Sequence, residues 1–393
     1  MTKPEDHKAF RYLQHTDLHV GRGLFRNLPA FIRERGFRQP AFLVDEGFSG
    51  TSLCRETIES LRAAFDGGVY VCTSRGNLEP TYDYLGELTK LFRGVDFDVL
   101  VAVGGGSCMD AGKTLAALKT NPGEPIEYRG FDKLKNPGIP AICIPTTAGT
   151  GSEVSYNASF VDSVGKRKMG INGNHMFATF GILDPETTLS CPYRAAMGAG
   201  VDALVHTLEG FVCKQQTPVT RMLAKEAFGL LVRALPALKL DPGNLERRQE
   251  LLLAASYGGL IQMNSGSGVA AAISYPLSVY YQVPHGIGGG MFLLKVMQYN
   301  IAGGYLDYSA LAPLAGVGTQ TGSEEENSLA LLEHLGRLWQ LLEVPTTLQT
   351  FGIARDSLPR VLEVMKTQQP GFDQNPLPFT VEAHLPPLLA DFF

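Results

Sequence analysis

Gly104-Gly105-Gly106-Ser107-Cys108-Met109-Asp110 follows directly on the apolar run 99–103. A strand that runs into glycines and then into a helix leaves a turn without side chains. The backbone can approach an anion there, and the helix N-terminus behind it presents free N–H groups and a positive dipole end. This segment asks for a strand–turn–helix unit whose turn opens on a ligand, a diphosphate by its chemistry. A Gly-rich run also makes ordinary tight turns, so its meaning depends on its surroundings.

The 393 residues, 44% of them apolar, are enough for two cores, and two domains are expected. A net charge of −5, with no basic run longer than Lys166-Arg167-Lys168, argues against a nucleic-acid surface, which needs clustered Lys and Arg. No charge-free apolar stretch reaches the roughly 20 residues of a membrane helix, although 269–283 is poor in polar residues. Residues 1–10 carry Lys, Glu, Asp and His where an export signal has an apolar core. Cys54, Cys72, Cys108, Cys143, Cys191 and Cys213 stand singly, with no CxxC spacing, as in a reduced protein. These features predict a soluble cytoplasmic protein with neither nucleic-acid nor membrane partners.

Residues 41–45, 69–73 and 99–103 read as short strands rich in Val and Phe. Helical patterns over 53–65 and 82–92 lie between them, and 141–144 supplies a further buried strand. This is a β-α-β grammar, hence parallel strands. After Asp184-Pro185-Glu186 the β-branched runs thin out, and long helical patterns over 195–213, 218–238 and 244–262 take over. The expected division is an α/β dinucleotide-binding domain over 1–187 and a helical domain over 188–393.

Asp45 ends the first strong strand. A carboxylate at that place accepts hydrogen bonds from ribose hydroxyls and repels a 2′-phosphate, which favours NAD over NADP; it can equally cap a helix or turn. The loop Pro145-Thr146-Thr147-Ala148-Gly149-Thr150-Gly151-Ser152-Glu153 follows the 141–144 strand. Its hydroxyls make either a second polar cradle at the same sheet edge or a capped helix start. In the helical half, Asp202 and His206 stand four apart and share a helix face, so they can converge on one divalent ion or simply pair with each other. His285, in Val283-Pro284-His285-Gly286, is the natural third ligand, or a structural histidine in a turn.

This ordered set of motifs resembles the iron-containing alcohol dehydrogenase family. The likeness covers nearly the whole chain, from the Asp45 strand through GGGSCMDAGK, PTTAGTGSE, Asp184-Pro185-Glu186, GVDALVHTLEGF and VPHG to Asn375-Pro376-Leu377-Pro378. It implies an α/β N-terminal Rossmann-like domain plus an all-α C-terminal domain, a plan shared with dehydroquinate synthase, with the active site in the cleft between them. It also implies NAD(P) contact by Asp45, Gly105, Gly106, Ser107, Asp110, Thr146, Thr147, Thr150 and Lys168, a divalent metal (iron or zinc) on Asp202, His206 and His285, and a homodimer. The implied reaction is hydride transfer from NAD(P)H to a small aldehyde, with the metal stabilising charge that develops on oxygen.

One departure stands out. The family's His-x-x-x-His-Pro-Leu is here Ala271-Ala272-Ile273-Ser274-Tyr275-Pro276-Leu277, so Ala271 takes the place of a fourth ligand and Tyr275 that of a second histidine. Three protein ligands with an open position still suit catalytic zinc. In a metal-independent reductase of the maleylacetate reductase kind, Tyr275 or a protonated His285 supplies the proton. The same two-domain plan would also serve a lyase that uses NAD transiently, or a nucleotide-binding protein without turnover. The segment 273–288 resembles the branch that reduces phosphonoacetaldehyde. Tyr275, Tyr280 and Tyr281, with Asn264, suggest a polar pocket, and Lys166, Arg167 or Lys168 meets an anionic group or forms a solvated hairpin.

Overall fold

Strands without polar alternation are buried on both faces, and the apolar runs become the middle of one parallel sheet. The computed structural model describes residues 9–66, 68–75 and 79–393, so residues 1–8 of the N-terminal segment read above lie outside the described residues. The strands are β1 (Asp17–Val20), β2 (Pro40–Asp45), β3 (Tyr70–Ser74), β4 (Val99–Gly104), β5 (Gly130–Phe131), β6 (Ala141–Pro145), β7 (Asn157–Asp162), β8 (Arg167–Asn172) and β9 (Phe180–Leu183). Six of them form a sheet in the order β1-β9-β6-β4-β2-β3, every pair parallel. Helices α1 (Leu28–Glu34), α2 (Glu46–Ser49), α3 (Ser52–Ala64), α4 (Tyr82–Arg93) and α5 (Gly106–Leu118) are interleaved with these strands.

Alternate residues serve alternate faces. Leu43, Leu100, Ala102 and Cys143 pack with Leu85 of α4 and Met109 and Leu115 of α5. Phe42, Val44, Val101 and Ile144 pack on the other face with Ile32 of α1 and Ile58 and Leu61 of α3. The chain moves outward from β2 to β3 and returns on the far side of β2 as β4. The carboxyl ends of β2 and β4 therefore flank the switch point at which doubly wound sheets bind ligands. A second sheet, β5-β8-β7, carries the antiparallel β7–β8 hairpin beside that edge.

From Tyr193 onward the described chain is helical: α6 (Tyr193–Val212), α7 (Pro218–Leu240), α8 (Leu245–Ser265), α9 (Val269–Tyr281), α10 (His285–Ala302) and shorter helices beyond. His285, read from sequence as part of a turn, is the first residue of α10, with Pro284 as its N-cap. Helix α6 is buried along most of its length, which makes it the central helix of this half. Its buried polar residues Asp202, His206 and Glu209 are spaced to share one face.

Two devices hold the halves together. Gly151 adopts φ +62, and a Cβ there would lie 2.5 Å from the Ala255 carbonyl oxygen and 2.7 Å from Gly259 Cα, so the 145–153 loop meets α8 backbone to backbone. Beside it, Ser256 Oγ donates to the buried Glu153 carboxyl group. The fully buried Lys113 of α5 then fixes the loop from below, donating to the carbonyls of Ser152 at 2.8 Å, Ser155 at 3.0 Å and Asn157 at 2.6 Å. Among the described residues no helix is long and apolar enough to cross a membrane, and all six cysteines are free thiols.

Helix α9 begins at Gly268, which has no capping side chain. Its free N–H groups are met from α6 instead: Glu209 accepts from Gly268 N at 2.9 Å, Ala270 N at 2.5 Å and Ala271 N at 3.2 Å. Burial pushes Glu209 up to about 7 from the usual 4.5, with the three N–H donors opposing. Between those values the folded chain keeps a proton that the unfolded chain has released, so stability falls as pH rises through that window and levels off above it. Urea unfolding from about pH 5 to about pH 8 should show this slope in the wild type and lose it in Glu209→Gln. An equal slope in both proteins would refute the assignment.

Candidate active site

Between the carboxyl edge of the sheet and helices α6, α9 and α10 lies a cavity of about 830 Å³. Its sheet side includes Gly106, Ser107, Asp110, Thr147, Thr150 and Lys168; its helical side includes Asp202, His206, Tyr275 and His285. Ten of the residues singled out in the sequence are thus brought to one cleft from both halves of the chain.

The N-terminus of α5 forms part of the wall. Gly105 is its N-cap, without a side-chain cap bond, and the first turn carries no acidic residue. Those N–H groups are free to meet an anion. A Cβ on Gly106 would come 2.7 Å from the Thr150 side chain and fill the cradle. Asp110 is engaged as a brace: it accepts from Ser152 Oγ at 2.5 Å and from Ser159 N at 2.8 Å, with Lys113 Nζ 3.4 Å away. Asp45, Gly105 and Thr146 do not line this cavity. Asp45 Oδ1 accepts from Gly47 N at 2.9 Å and caps α2, the second of the two roles open to it. Thr146 lines a neighbouring cavity of about 210 Å³ together with Thr147, Leu189 and Arg248.

Opposite the glycine turn, one ligand atom from each of Asp202, His206 and His285 lies within 4.8 Å of the others. His206 Nε2 is 3.7 Å and His285 Nε2 3.9 Å from Asp202 Oδ1, beyond direct hydrogen bonding. Both ring nitrogens of His206 are buried without a hydrogen-bond partner among the described residues. An imidazole left so is costly, and a cation shared with Asp202 and His285 removes the cost. Burial holds His285 down to about 4, with Asp202 opposing, so its ring is neutral at pH 7. That is the ligand form of histidine, not the acid form. One carboxylate and two imidazoles suit a divalent ion such as zinc or iron. Ala271 is 1% exposed within the helical core and does not line the cavity.

Tyr275 packs on His285, ring centroids 4.8 Å apart. Its hydroxyl makes no hydrogen bond among the described residues, and burial with neighbouring carboxylates, Asp202 first, raises its pKa and keeps the phenol protonated. Lys168 Nζ lies 5.8 Å from the Tyr275 ring and 2.7 Å from Glu79 Oε2. Glu79 Oε1 in turn accepts from Ser278 Oγ at 2.7 Å. Burial would raise Glu79, but the Lys168 ammonium outweighs it and holds the carboxyl at about 2. The basic run therefore divides: Lys166 and Arg167 are exposed on the hairpin, while Lys168 turns into the cleft and is already paired.

Other members of the expected polar pocket lie elsewhere. Tyr280 faces Arg360, and Tyr281 packs against the helical core. The Asn264 amide bridges the backbone N–H and carbonyl of Leu13. Glu79, Ser274 and Ser278 carry no motif and were not singled out in the sequence. Ser274 and Ser278, four apart on a polar-poor helix and flanking Tyr275, are the signal that was available.

Residues 15–185 match the iron-containing alcohol dehydrogenase family, and residues 196–386 match the C-terminal part of the Fe-containing alcohol dehydrogenase family. The choline dehydrogenase of Bacillus subtilis is 30% identical over 353 residues, 89% of this chain and 87% of that protein. The sulfoacetaldehyde reductase of Bilophila wadsworthia is 29% identical, covering 81% of this chain and 83% of its own length. A solved 1,3-propanediol oxidoreductase superposes with a TM-score of 0.89 at 25% identity over 98% of this chain and 100% of its own. A sulfoacetaldehyde reductase from Bifidobacterium kashiwanohense, in complex with NAD+, superposes with a TM-score of 0.87 at 24% identity over 98% and 99%.

The Glu79–Lys168 pair is partly shielded, with side chains 28% and 10% exposed. A double-mutant cycle with Glu79→Gln and Lys168→Met, read by urea unfolding, should give a coupling of about 1–2 kcal/mol, above the usual surface pair. A coupling indistinguishable from zero would mean that the contact is incidental.

Proposed function

Because the chain belongs to the iron-containing alcohol dehydrogenase family, we propose that its cleft reduces a small aldehyde to the alcohol at the expense of NADH, with Asp202, His206 and His285 holding a divalent ion. The observation that carries this reading is the buried cluster in which neither ring nitrogen of His206 has a partner among the described residues, facing an uncapped helix N-terminus across one cavity. In it, residues 1–187 hold the cofactor and residues 188–393 supply the metal and substrate groups.

When bound, the reduced nicotinamide supplies a hydride and the divalent ion supplies Lewis-acid polarisation of the carbonyl. The chain's own residues do the rest. The α5 N-terminus at Gly105, Gly106 and Ser107, with the hydroxyls of Thr147 and Thr150, receives the diphosphate. Asp45, at the end of β2 and beside the cavity, caps α2 through Oδ1 and in this reading turns its other oxygen to the adenosine ribose, disfavouring a 2′-phosphate. Thr146 contributes from the adjoining cavity. Lys168, held by Glu79 over the Tyr275 ring, keeps its ammonium inside the cleft. Tyr275 gives its phenolic proton to the carbonyl oxygen as charge builds there, and burial, helped by the carboxylates around it, favours the phenol, which regains its proton from water.

The free hydroxyl of Tyr275 also favours a second reading, a reductase that needs no metal. Elemental analysis combined with NADH oxidation before and after chelation separates the two. The first reading expects about one iron or zinc per chain, turnover lost on chelation, and a kcat lowered about 10²- to 10⁴-fold in Tyr275→Phe. Undiminished turnover after chelation would hand the reaction to Tyr275, and failure to oxidise NADH with any small aldehyde would overturn both.

An anionic substituent, of the phosphono or sulfo type, belongs to the same proposal. Lys168 is committed to Glu79, but Arg194 lines the cleft and makes no ion pair within 4 Å among the described residues, its charge reaching Glu343 only at longer range. Arg194→Ala should raise KM for phosphonoacetaldehyde or sulfoacetaldehyde about tenfold and leave that for propanal unchanged. Equal effects on charged and neutral aldehydes would remove the anion from the proposal.

A further inference from the structure

Ser274 of α9 lies between two groups that compete for its single proton. Its Oγ is 2.6 Å from the Ala271 carbonyl oxygen and 2.7 Å from His285 Nδ1. A carbonyl oxygen only accepts, so the hydroxyl proton goes to Ala271 and the serine meets His285 with a lone pair. Nδ1 must then carry the hydrogen. In a neutral imidazole the other nitrogen is bare, and Nε2 is the atom 3.9 Å from Asp202 Oδ1.

We propose that Ser274 is the positioning residue that fixes His285 as the Nδ1–H tautomer and aims its Nε2 lone pair at Asp202 and His206. The proposal rests on the reading that these three residues hold a divalent ion, and it adds how the third is prepared for that task. Ser274 is 1% exposed, so water does not compete for either of its bonds. The Tyr275 ring, inclined 35° to the imidazole at 4.8 Å, packs against His285 from the same helix. His206 differs: neither of its nitrogens has a partner among the described residues, so these set the tautomer of only one of the two histidines.

Without the hydroxyl, Nδ1 loses its acceptor and the proton is free to move to Nε2, the atom needed as ligand. Removal of such an outer partner costs roughly 10- to 100-fold in metal affinity. The first readout is the tautomer in metal-free protein labelled with 15N-histidine, with the His285 signal identified by its loss in His285→Asn. Wild type should show Nδ1–H, and Ser274→Ala a mixture of both tautomers. The second readout is titration with Zn2+ and with Co2+. Ser274→Ala should bind each ion about 10- to 100-fold more weakly, and Ser274→Thr, which keeps the hydroxyl, should recover affinity.

An Nε2–H ring in the wild type, or an identical spectrum in Ser274→Ala, overturns the proposal. So does unchanged affinity in Ser274→Ala. If the wild type binds neither ion, the metal reading itself falls, and the ring spectrum alone decides the role of Ser274. If Ser274→Thr does not fold, the comparison of wild type with Ser274→Ala still decides.

Discussion

Placing Asp202, His206 and Glu209 on one face of a largely apolar, buried helix is the constraint from which the helical half follows. Three ionisable groups in such surroundings each require an answering group, because an unsatisfied buried polar atom costs about as much as several buried methyl groups contribute. Glu209 is answered by the start of α9, whose first N–H groups converge on its carboxyl. That contact fixes where α9 begins, and so which of its residues reach the cleft. One turn beyond Ala271, the helix presents Ser274 and Tyr275, and one turn further Ser278. Pro284 then starts α10 so that His285 comes to Asp202.

The sheet half reaches the same cleft through contacts that ordinary loop packing would not supply. Gly151 lets the 145–153 loop lie against the backbone of α8, and Lys113 neutralises the partial charges of three carbonyls, at Ser152, Ser155 and Asn157, between that loop and the start of β7. A buried ammonium is tolerable only when its donors are used in this way. Glu79 does a similar service across the opening, since its two oxygens join a lysine of the β7–β8 hairpin to a serine of α9. The position of Lys168 over Tyr275 is thus a property of both halves and not of the hairpin alone.

What the sequence made legible follows the same physics. The runs at 41–45, 99–103 and 141–144 were readable because both faces of those strands are buried and no polar residue interrupts them. The β7–β8 hairpin was one of two readings open to Lys166-Arg167-Lys168, but its strands were not delimited, because they mix polar and apolar residues and their pairing is decided by neighbours. Strand alternation also explains why Lys168 enters the cleft while Arg167 and Met169 stay exposed. Asp202 and His206 were legible from four-residue spacing. Tyr280 and Tyr281 were misplaced because, at about 100° per residue, they lie about 140° and 240° round the helix from Tyr275. Glu79 acts through tertiary contacts with no local pattern, and a single chain gives it no signature; Ser274 left only its four-residue spacing to Ser278 on a polar-poor helix.

Most polar groups of the cleft are mutually satisfied: Asp110 by Ser152 and Ser159, Lys168 by Glu79, His285 Nδ1 by Ser274. Besides the Tyr275 hydroxyl, two features of the cleft are not, and they differ in sign. The free N–H groups of the α5 N-terminus favour an anion, whereas the Asp202–His206–His285 cluster, with His206 unpartnered, favours a cation. These donors and acceptors do not satisfy each other, because they stand on different walls of the cavity, one on the sheet side and the other on the helical side. A ligand pair of opposite charge in one cavity answers both, and the proposed diphosphate and divalent ion are such a pair. A protein kept only to bind a nucleotide would have a use for the first feature and none for the second.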